Sequence, residues 1–435
     1  MAGAFWSLCG AVVSRSLTLG ASILAGRLLG ATGFGEVGMI QSTQGLFGVL
    51  AGAGLGLAAT KHVAEYRARD WSRAARCIAL VTRIALATSL AASAVLLALA
   101  PWLAGSVLEA PHLVVELRVA TALVFLAALN GVQTGALAGL GDFRTIAFLG
   151  MTRAVVLGVA LVGGIVLGGV LGGVIGLVLT ELIAVLAGQL ALRRLYPEIW
   201  SGGRGGRPDW REFAAVWRFS VLALLGSLST MPALWFSNVL LVNQPDGYSG
   251  LGIFNAAERW RQLLLFLPAT VSALILSLLS NLHGKNDPGG YRQVLGMNLG
   301  LTVAMVLVPA VGLMLFSRLA MGVFGPGYEG GGLTLVVLVA SAIAMVLNDF
   351  LGQVLVSKGS IRCRTLLDVF LAVVLTVVSW QLIPVYGATG LALGHLIAYA
   401  ATALALLLPV LYHLKKPAPS PADEATARRG DTELR

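Results

Sequence analysis

Apolar runs of about 20 residues recur from one end of this chain to the other, and a run of that length matches the hydrocarbon thickness of a bilayer. A chain crossing hydrocarbon must satisfy each backbone N–H and C=O within itself, so such runs are read as helices. They fall near 5–26, 38–60, 78–100, 114–138, 146–167, 173–192, 216–241, 253–279, 295–317, 331–355, 364–384 and 388–411. Only 11% of the residues are charged, where an ordinary soluble domain carries about 25%. The expected fold is all-α: a polytopic membrane protein of about twelve transmembrane helices. The tightest junctions, 168–172 and 384–388, are where spans are most easily miscounted. The first run is not read as a cleavable leader, because it is too long and carries Arg15 in its interior.

A net charge of +10 raises the question of nucleic acid, and the position of the charges answers it. With the N-terminus cytoplasmic, 22 of the 30 Lys and Arg residues fall in cytoplasmic segments. Only Arg27, Arg118 and Arg318 fall on the other side, and Arg15, Arg83, Arg153, Arg259 and Arg261 lie in or near spans. That asymmetry fixes orientation and says nothing of DNA or RNA, so no nucleic-acid partner is expected. Both termini are then cytoplasmic. Cys9, Cys77 and Cys363 have neither metal nor redox spacing, and the five histidines form no metal pattern.

The chain contains an internal repeat. Residues 173–184 read against 387–398 with seven of twelve positions identical. Leu129, Asn130, Leu137, Gly141 and Arg144 match Leu347, Asn348, Leu355, Gly359 and Arg362, and Gly33 and Gly35 match Gly250 and Gly252. The shifts, 214, 218 and 217 residues, are nearly constant. A six-span unit returns the chain to the side it left, so the two halves form parallel six-helix bundles related by an axis along the membrane normal. The expected division is a first lobe at 1–192, a glycine-rich cytoplasmic linker at 193–215, a second lobe at 216–412 and a disordered tail at 413–435.

The segments AGRLLGATGFGEVGMIQSTQGLFGVLAGAGLGLAATKHVAEYR, FNAAERWRQLLLFLP, GALAGLGDFR and YGATGLALGHLIA resemble the polysaccharide transporter family. That family contains the O-antigen flippases and shares a superfamily with multidrug antiporters and lipid II flippases. The resemblance covers all but the last twenty or so residues. It implies a flippase of the bacterial cytoplasmic (inner) membrane, moving a polyprenyl-pyrophosphate-linked oligosaccharide by alternating access. It also implies work beside a polysaccharide polymerase and a chain-length regulator. No cofactor is expected beyond a coupling H+ or Na+. No Walker A sequence is present, and no catalytic residues are expected. The rival readings are a multidrug or small-cation antiporter on the same fold, and a membrane glycosyltransferase or polymerase acting on the same lipid.

A charge inside a span costs roughly 2.5–3.5 kcal/mol on the insertion scale, so each one asks for a partner or a wet cavity. Arg15 heads a polar stripe with Ser7, Ser14, Thr18 and Ser22 on one face of the first span. It reads as a pyrophosphate contact or as half of a structural pair. Arg83 and Arg153 lie about 8–10 Å inside the cytoplasmic edge at 1.5 Å per residue, facing substrate or snorkelling to headgroups. Arg261 is the better cavity-mouth contact of the pair Arg259 and Arg261, which with Glu258 open the eighth span from the outer side. Gln41 and Gln44 are candidate sugar contacts, while Gly48, Gly52 and Gly56 allow close helix packing. Arg27 and Arg259 are candidate gate residues. Asp349, Glu181, Asp368 and His395 are candidates for ion coupling. His395 takes the place of Glu181 in the repeat, Asp368 has Arg364 one turn away, and Glu181 and Asp349 lack an obvious local partner. Pro232, Pro268 and Pro309 fall inside spans, where they would kink a helix. The halves thus suggest a division of labour, with a basic first lobe for the anionic lipid and an acidic second lobe for a coupling cation.

Overall fold

The computed structural model describes residues 2–52, 54–67, 70–197, 220, 228–284, 288–357 and 361–415. Among them there are helices and turns but no strand. The first half comprises α1 (Ala2–Gly52), α2 (Leu55–Arg67), α3 (Trp71–Trp102), α4 (Val114–Leu140) and α5 (Phe143–Leu195). The second half begins with α6 (Leu228–Val242). It continues with α7 (Gly247–Gly284), α8 (Pro288–Leu315), the short α9 (Ser317–Gly322), α10 (Gly332–Ser357) and α11 (Ile361–Lys415).

Three helices are too long for one crossing. The apolar stretches of α1, α5 and α11 run 41, 53 and 50 residues, where a single crossing takes about 20. Each is a pair of arms meeting at a glycine with positive φ: Gly30 (φ 67°) in α1, Gly169 (φ 57°) in α5 and Gly387 (φ 53°) in α11. Glycine takes that backbone region without the Cβ clash that penalises other residues. The arms then run back along each other. In α5, Gly164 and Gly172 touch backbone to backbone, and in α11 Gly390 lies on the Leu382 carbonyl. In α1, Arg15 of the first arm and Gln41 of the second both reach Arg259 of α7. With these arms counted singly and α6 and α7 included, the fold has about twelve crossings. The structure replaces the connection expected between 26 and 38 by a reversal at Gly30.

These reversals also correct the register of the repeat. Gly169 and Gly387 lie 218 residues apart (387 less 169), as do the contacting pairs 164–172 and 382–390. The best identity match, at 214, is therefore one helical turn out of structural register. In the corrected register Asn130 still faces Asn348, but Glu181 corresponds to Tyr399 and His395 to Leu177. The expectation that His395 replaces Glu181 is overturned by the positions of the two turns.

The end of the bundle carrying Lys61, Arg73, Arg76, Arg193 and Arg194 is called the basic end, and the opposite one the far end. At the far end the halves touch closely. A Cβ on Gly35 would overlap the Tyr248 carbonyl, and one on Gly252 the Ala31 carbonyl. Of the three glycines expected to pack, Gly56 meets Gly131 and Gly135 of α4, whereas Gly52 has nothing within 4 Å and Gly48 meets only Gln44. Pro268 and Pro309 lie within α7 and α8, which continue as helices on both sides. Of the expected linker, 193–195 end α5 and 198–215 lie outside the described residues, as do 416–435 of the expected tail. Helix α11 itself runs on to Lys415.

Candidate functional site

The site begins with α1. Three of its stripe hydroxyls find partners: Ser14 donates to the Gly150 carbonyl at 3.1 Å, Thr18 to Ser14 at 2.8 Å and Ser22 to Thr18 at 2.9 Å. Serine and threonine in helices commonly bond the preceding turn this way. Arg15 has no such outlet and turns to the cleft between the halves, its guanidinium 5.8 Å from the centre of the Phe266 ring. That distance is within cation–π range.

Across the cleft stands Arg259, whose Nη2 donates to Gln41 Oε1 at 3.1 Å. Its other terminal nitrogen reaches toward Gln262 Oε1 at 3.4 Å. Arg15, Thr18, Leu19, Arg259, Gln262 and Leu263 line one small cleft, and no carboxylate is among them. Arg15 lies fifteen residues from the Gly30 turn and Arg259 twelve residues into α7, depths of about 22 Å and 18 Å at 1.5 Å per residue. Arg259 is therefore near the middle of its crossing and Arg15 past the middle, toward the basic end. Two guanidiniums facing one cleft can hold an anion between them; the nearest carboxylate, Glu258, accepts from Gln262 at 3.3 Å and pairs with Arg261.

The neighbouring arginine behaves differently. Arg261 is 5% exposed and turned into the second half. It pairs with Glu258 at 2.7 Å and donates to Ser341 Oγ at 2.9 Å, with His395 Nδ1 at 3.4 Å. A guanidinium has only donors, so Nδ1 is the acceptor there and the ring proton sits on Nε2. The sequence reading took Arg261 as the cavity contact and placed Arg259 at an outer gate. The structure exchanges them, because α7 starts at Gly247 and two residues of helix turn the side chains about 200° apart.

Glu181 and Asp349, which lack an obvious local partner in the sequence, have more distant ones. Arg153 of the first α5 arm forms an ion pair with Glu181 of the second, and Asn130 Nδ2 donates to the same carboxylate at 3.2 Å. The two residues are far apart in sequence, and the reversal at Gly169 brings them level. In the second half Arg364 pairs with Asp368 at 3.0 Å, as expected from their spacing, and approaches Asp349 at 3.9 Å. It also donates to the Asn348 carbonyl at 3.1 Å. The Asn348 side chain, 1% exposed, has no partner on either its nitrogen or its oxygen among the described residues.

At the far end Arg27 Nε donates to the Val323 carbonyl at 2.6 Å, tying the first turn of the chain to the segment after α9. Phe324 and Tyr328 of that segment pack on Phe34, and the Tyr328 hydroxyl donates to the Gly30 carbonyl at 3.0 Å. Tyr248 donates to the Leu108 carbonyl at 2.9 Å on the other flank. The sequence reading found Arg27 but not these aromatics, whose role depends on contacts nearly 300 residues apart. Gln44 and Arg83 are absent from the cleft. Arg83 instead lines a groove within the first half, with Gln133 and Gln189. No group of three or more metal-binding side chains occurs among the described residues.

Comparison with known proteins now bears on this geometry. Residues 1–276 match the model of a family described as polysaccharide biosynthesis protein. The chain belongs to that family. None of the curated proteins is significantly similar to it in sequence. Among solved structures, an inward-facing multidrug resistance MATE family transporter of the MOP superfamily is 19% identical. The match covers 94% of this chain and 98% of that one, with a TM-score of 0.80. An outward-facing transporter of the same description is 19% identical, over 95% of each chain, with a TM-score of 0.68. A MOP superfamily transporter from Pyrococcus furiosus is 18% identical over 95% of each chain, with a TM-score of 0.72. The polysaccharide biosynthesis family member thus has the fold of the MOP superfamily.

Proposed function

We propose that the protein is a flippase for a polyprenyl-pyrophosphate-linked oligosaccharide in surface polysaccharide synthesis. The observation that carries this reading is the cleft between the halves, where Arg15 and Arg259 face each other within the spans and no carboxylate lines the walls. A pyrophosphate supplies the complementary charge, and arginine binds phosphate through a planar fork of donors. Gln41 and Gln262 beside them offer amides to a sugar. Family membership favours a polysaccharide intermediate over a drug. The Pyrococcus furiosus relative in fold is described as having a binding pocket of reverse polarity that suggests a different function. A cationic cleft on this fold points the same way.

In this proposal the basic end is cytoplasmic, as the charge asymmetry indicates. The substrate enters there while the far end is closed by Phe34, Phe324 and Tyr328. Release on the other side requires the Gly35–Gly252 contact to part and the basic end to close. A coupling cation, H+ or Na+, is assigned to the second half, where Asp349, Asp368 and the unpartnered Asn348 surround Arg364. His395 is assigned to holding Arg261 in place.

The test is flipping of a short-chain polyprenyl-pyrophosphate oligosaccharide into proteoliposomes containing purified protein. Arg15→Ala and Arg259→Ala should each abolish most of it. Full activity in both variants, or transport of organic cations in preference to the lipid, would overturn the reading.

A further inference from the structure

A second recess lies in the first half, and among the described residues its place in the second half is filled. Helices α3 and α5 both pack on α4 but scarcely on each other. The gap between α3 and the second arm of α5 forms a cavity of about 500 Å³, floored by α4. Its walls are mostly apolar, with Leu86 and Leu186 exposed at the rim. Four polar side chains are set into it: Thr82, whose hydroxyl donates to the Ile78 carbonyl at 2.7 Å, Arg83, Gln133 and Gln189. Gln133 Nε2 donates to Gln189 Oε1 at 3.2 Å, which leaves Gln133 Oε1 buried without a donor, on a residue only 9% exposed. Arg83 makes no ion pair or hydrogen bond among the described residues. The cavity therefore presents an unneutralised cation, an unfilled acceptor and an apolar trough.

The corrected repeat shows that the fold does not require this arrangement. Gln133 corresponds to Leu351, Gln189 to Leu407 and Val132 to the larger Phe350, while Arg83 corresponds to Leu301. In the second half Phe350 packs with Leu406 and Val410, and Leu299 and Leu351 close over them. The same place is thus a filled apolar core in one half and a polar-tipped groove in the other.

The groove is remote from the substrate cleft. It is lined by α3, α4 and the second α5 arm, whereas α1 carries the main contact with the second half. It shares no lining residue with the cleft of Arg15 and Arg259. Arg83 lies six residues into the apolar run that starts at Cys77, about 9 Å deep at 1.5 Å per residue, within snorkelling reach of the headgroups of the basic end.

We propose that this groove holds an anionic phospholipid of the leaflet at the basic end, with one acyl chain along the trough and the phosphate on Arg83. Gln133 Oε1 takes a hydrogen bond from a headgroup hydroxyl, so a glycerol headgroup fits better than choline, which has no donor. The lipid splints α3 to α5 and remains bound while substrate passes elsewhere.

Native mass spectrometry of the full-length protein, titrated with dioleoyl-phosphatidylglycerol or dioleoyl-phosphatidylcholine, tests this. The first phosphatidylglycerol should bind about tenfold more tightly than phosphatidylcholine, the scale of one charge-assisted contact. Arg83→Gln should erase that preference, and Gln133→Leu, which copies the second half, should weaken it without unfolding risk. Arg15→Ala should leave it intact, which separates this site from the substrate cleft. Equal binding of the two lipids, an unchanged preference in both groove variants, or displacement of phosphatidylglycerol by stoichiometric polyprenyl phosphate would overturn the proposal.

Discussion

Asn130 and Asn348 occupy the same position in the two halves and have different fates. In the first half Asn130 donates to Glu181, which is also held by Arg153. In the second half Tyr399 stands where Glu181 would, and the buried Asn348 side chain has no partner among the described residues. Its local charge is instead shared among Arg364, Asp349 and Asp368. At this position the first half has closed its polar network on itself, and the second has left groups in place that can accept something further. In a membrane, where an unsatisfied polar group costs free energy, that difference points to a structural role for Asn130 and a functional one for Asn348.

The comparison breaks first on transport. If the cleft arginines act on the substrate's charge, Arg15→Ala and Arg259→Ala each lower the initial flipping rate by about a hundredfold, the scale of two lost charge-assisted bonds at 1.4 kcal/mol per tenfold. Lysine at either position should recover only part of it, since the planar fork is lost. A rate within threefold of wild type in both alanine variants would remove the cleft from the mechanism.

Stability separates the halves next. Arg261→Met strands the partly buried Glu258 and should lower stability by about 3–5 kcal/mol, as when one member of a buried pair is removed. Adding Glu258→Gln should return much of this, and thermal unfolding in detergent reads both. Failure of the second change to rescue would mean that Arg261 matters through packing alone.

The two asparagines give the sharpest comparison at smaller scale. Asn130→Leu removes a hydrogen bond to a charged group and should cost about 1.5–3 kcal/mol. Asn348→Leu removes a group without a partner and should be close to neutral in unfolding, while it abolishes the dependence of flipping on the coupling ion. Equal destabilisation in both would show that the halves are alike after all. The smallest effect is expected at the far end. Phe324→Leu, which keeps an apolar side chain at this fully buried position, should leave folding intact and increase labelling of a cysteine placed at Gly26 by a membrane-impermeant thiol reagent, because the ring that covers Gly26 is removed.

Much of this architecture was legible in the sequence for definite reasons. Crossing a bilayer imposes a length and a composition on each helix, so about twelve spans could be read from apolar runs alone. The i,i+4 pairing of Arg364 with Asp368 could be read because helical geometry is local. Glycine at the junctions 168–172 and 384–388 marked tight connections, since a sharp reversal needs a residue without Cβ. The repeat was visible too, but its strongest identity match slid by one turn. Leu/Gly-rich helices resemble themselves at a four-residue offset, and identity has no access to where the chain reverses.

The charge on each span belongs to the sequence, and so does the conclusion that Arg15 must face something polar. Which charges meet was decided by the tertiary structure. Arg153 reaches Glu181 because Gly169 folds one arm onto the other. Arg259 enters the cleft and Arg261 leaves it because the start of α7 sets their angle. The groove at Arg83 exists because α3 and α5 both lean on α4 and not on each other. Hydrophobicity and local spacing act within a few residues and are written along the chain, whereas the pairing of buried charges depends on the angles at which distant helices are brought together.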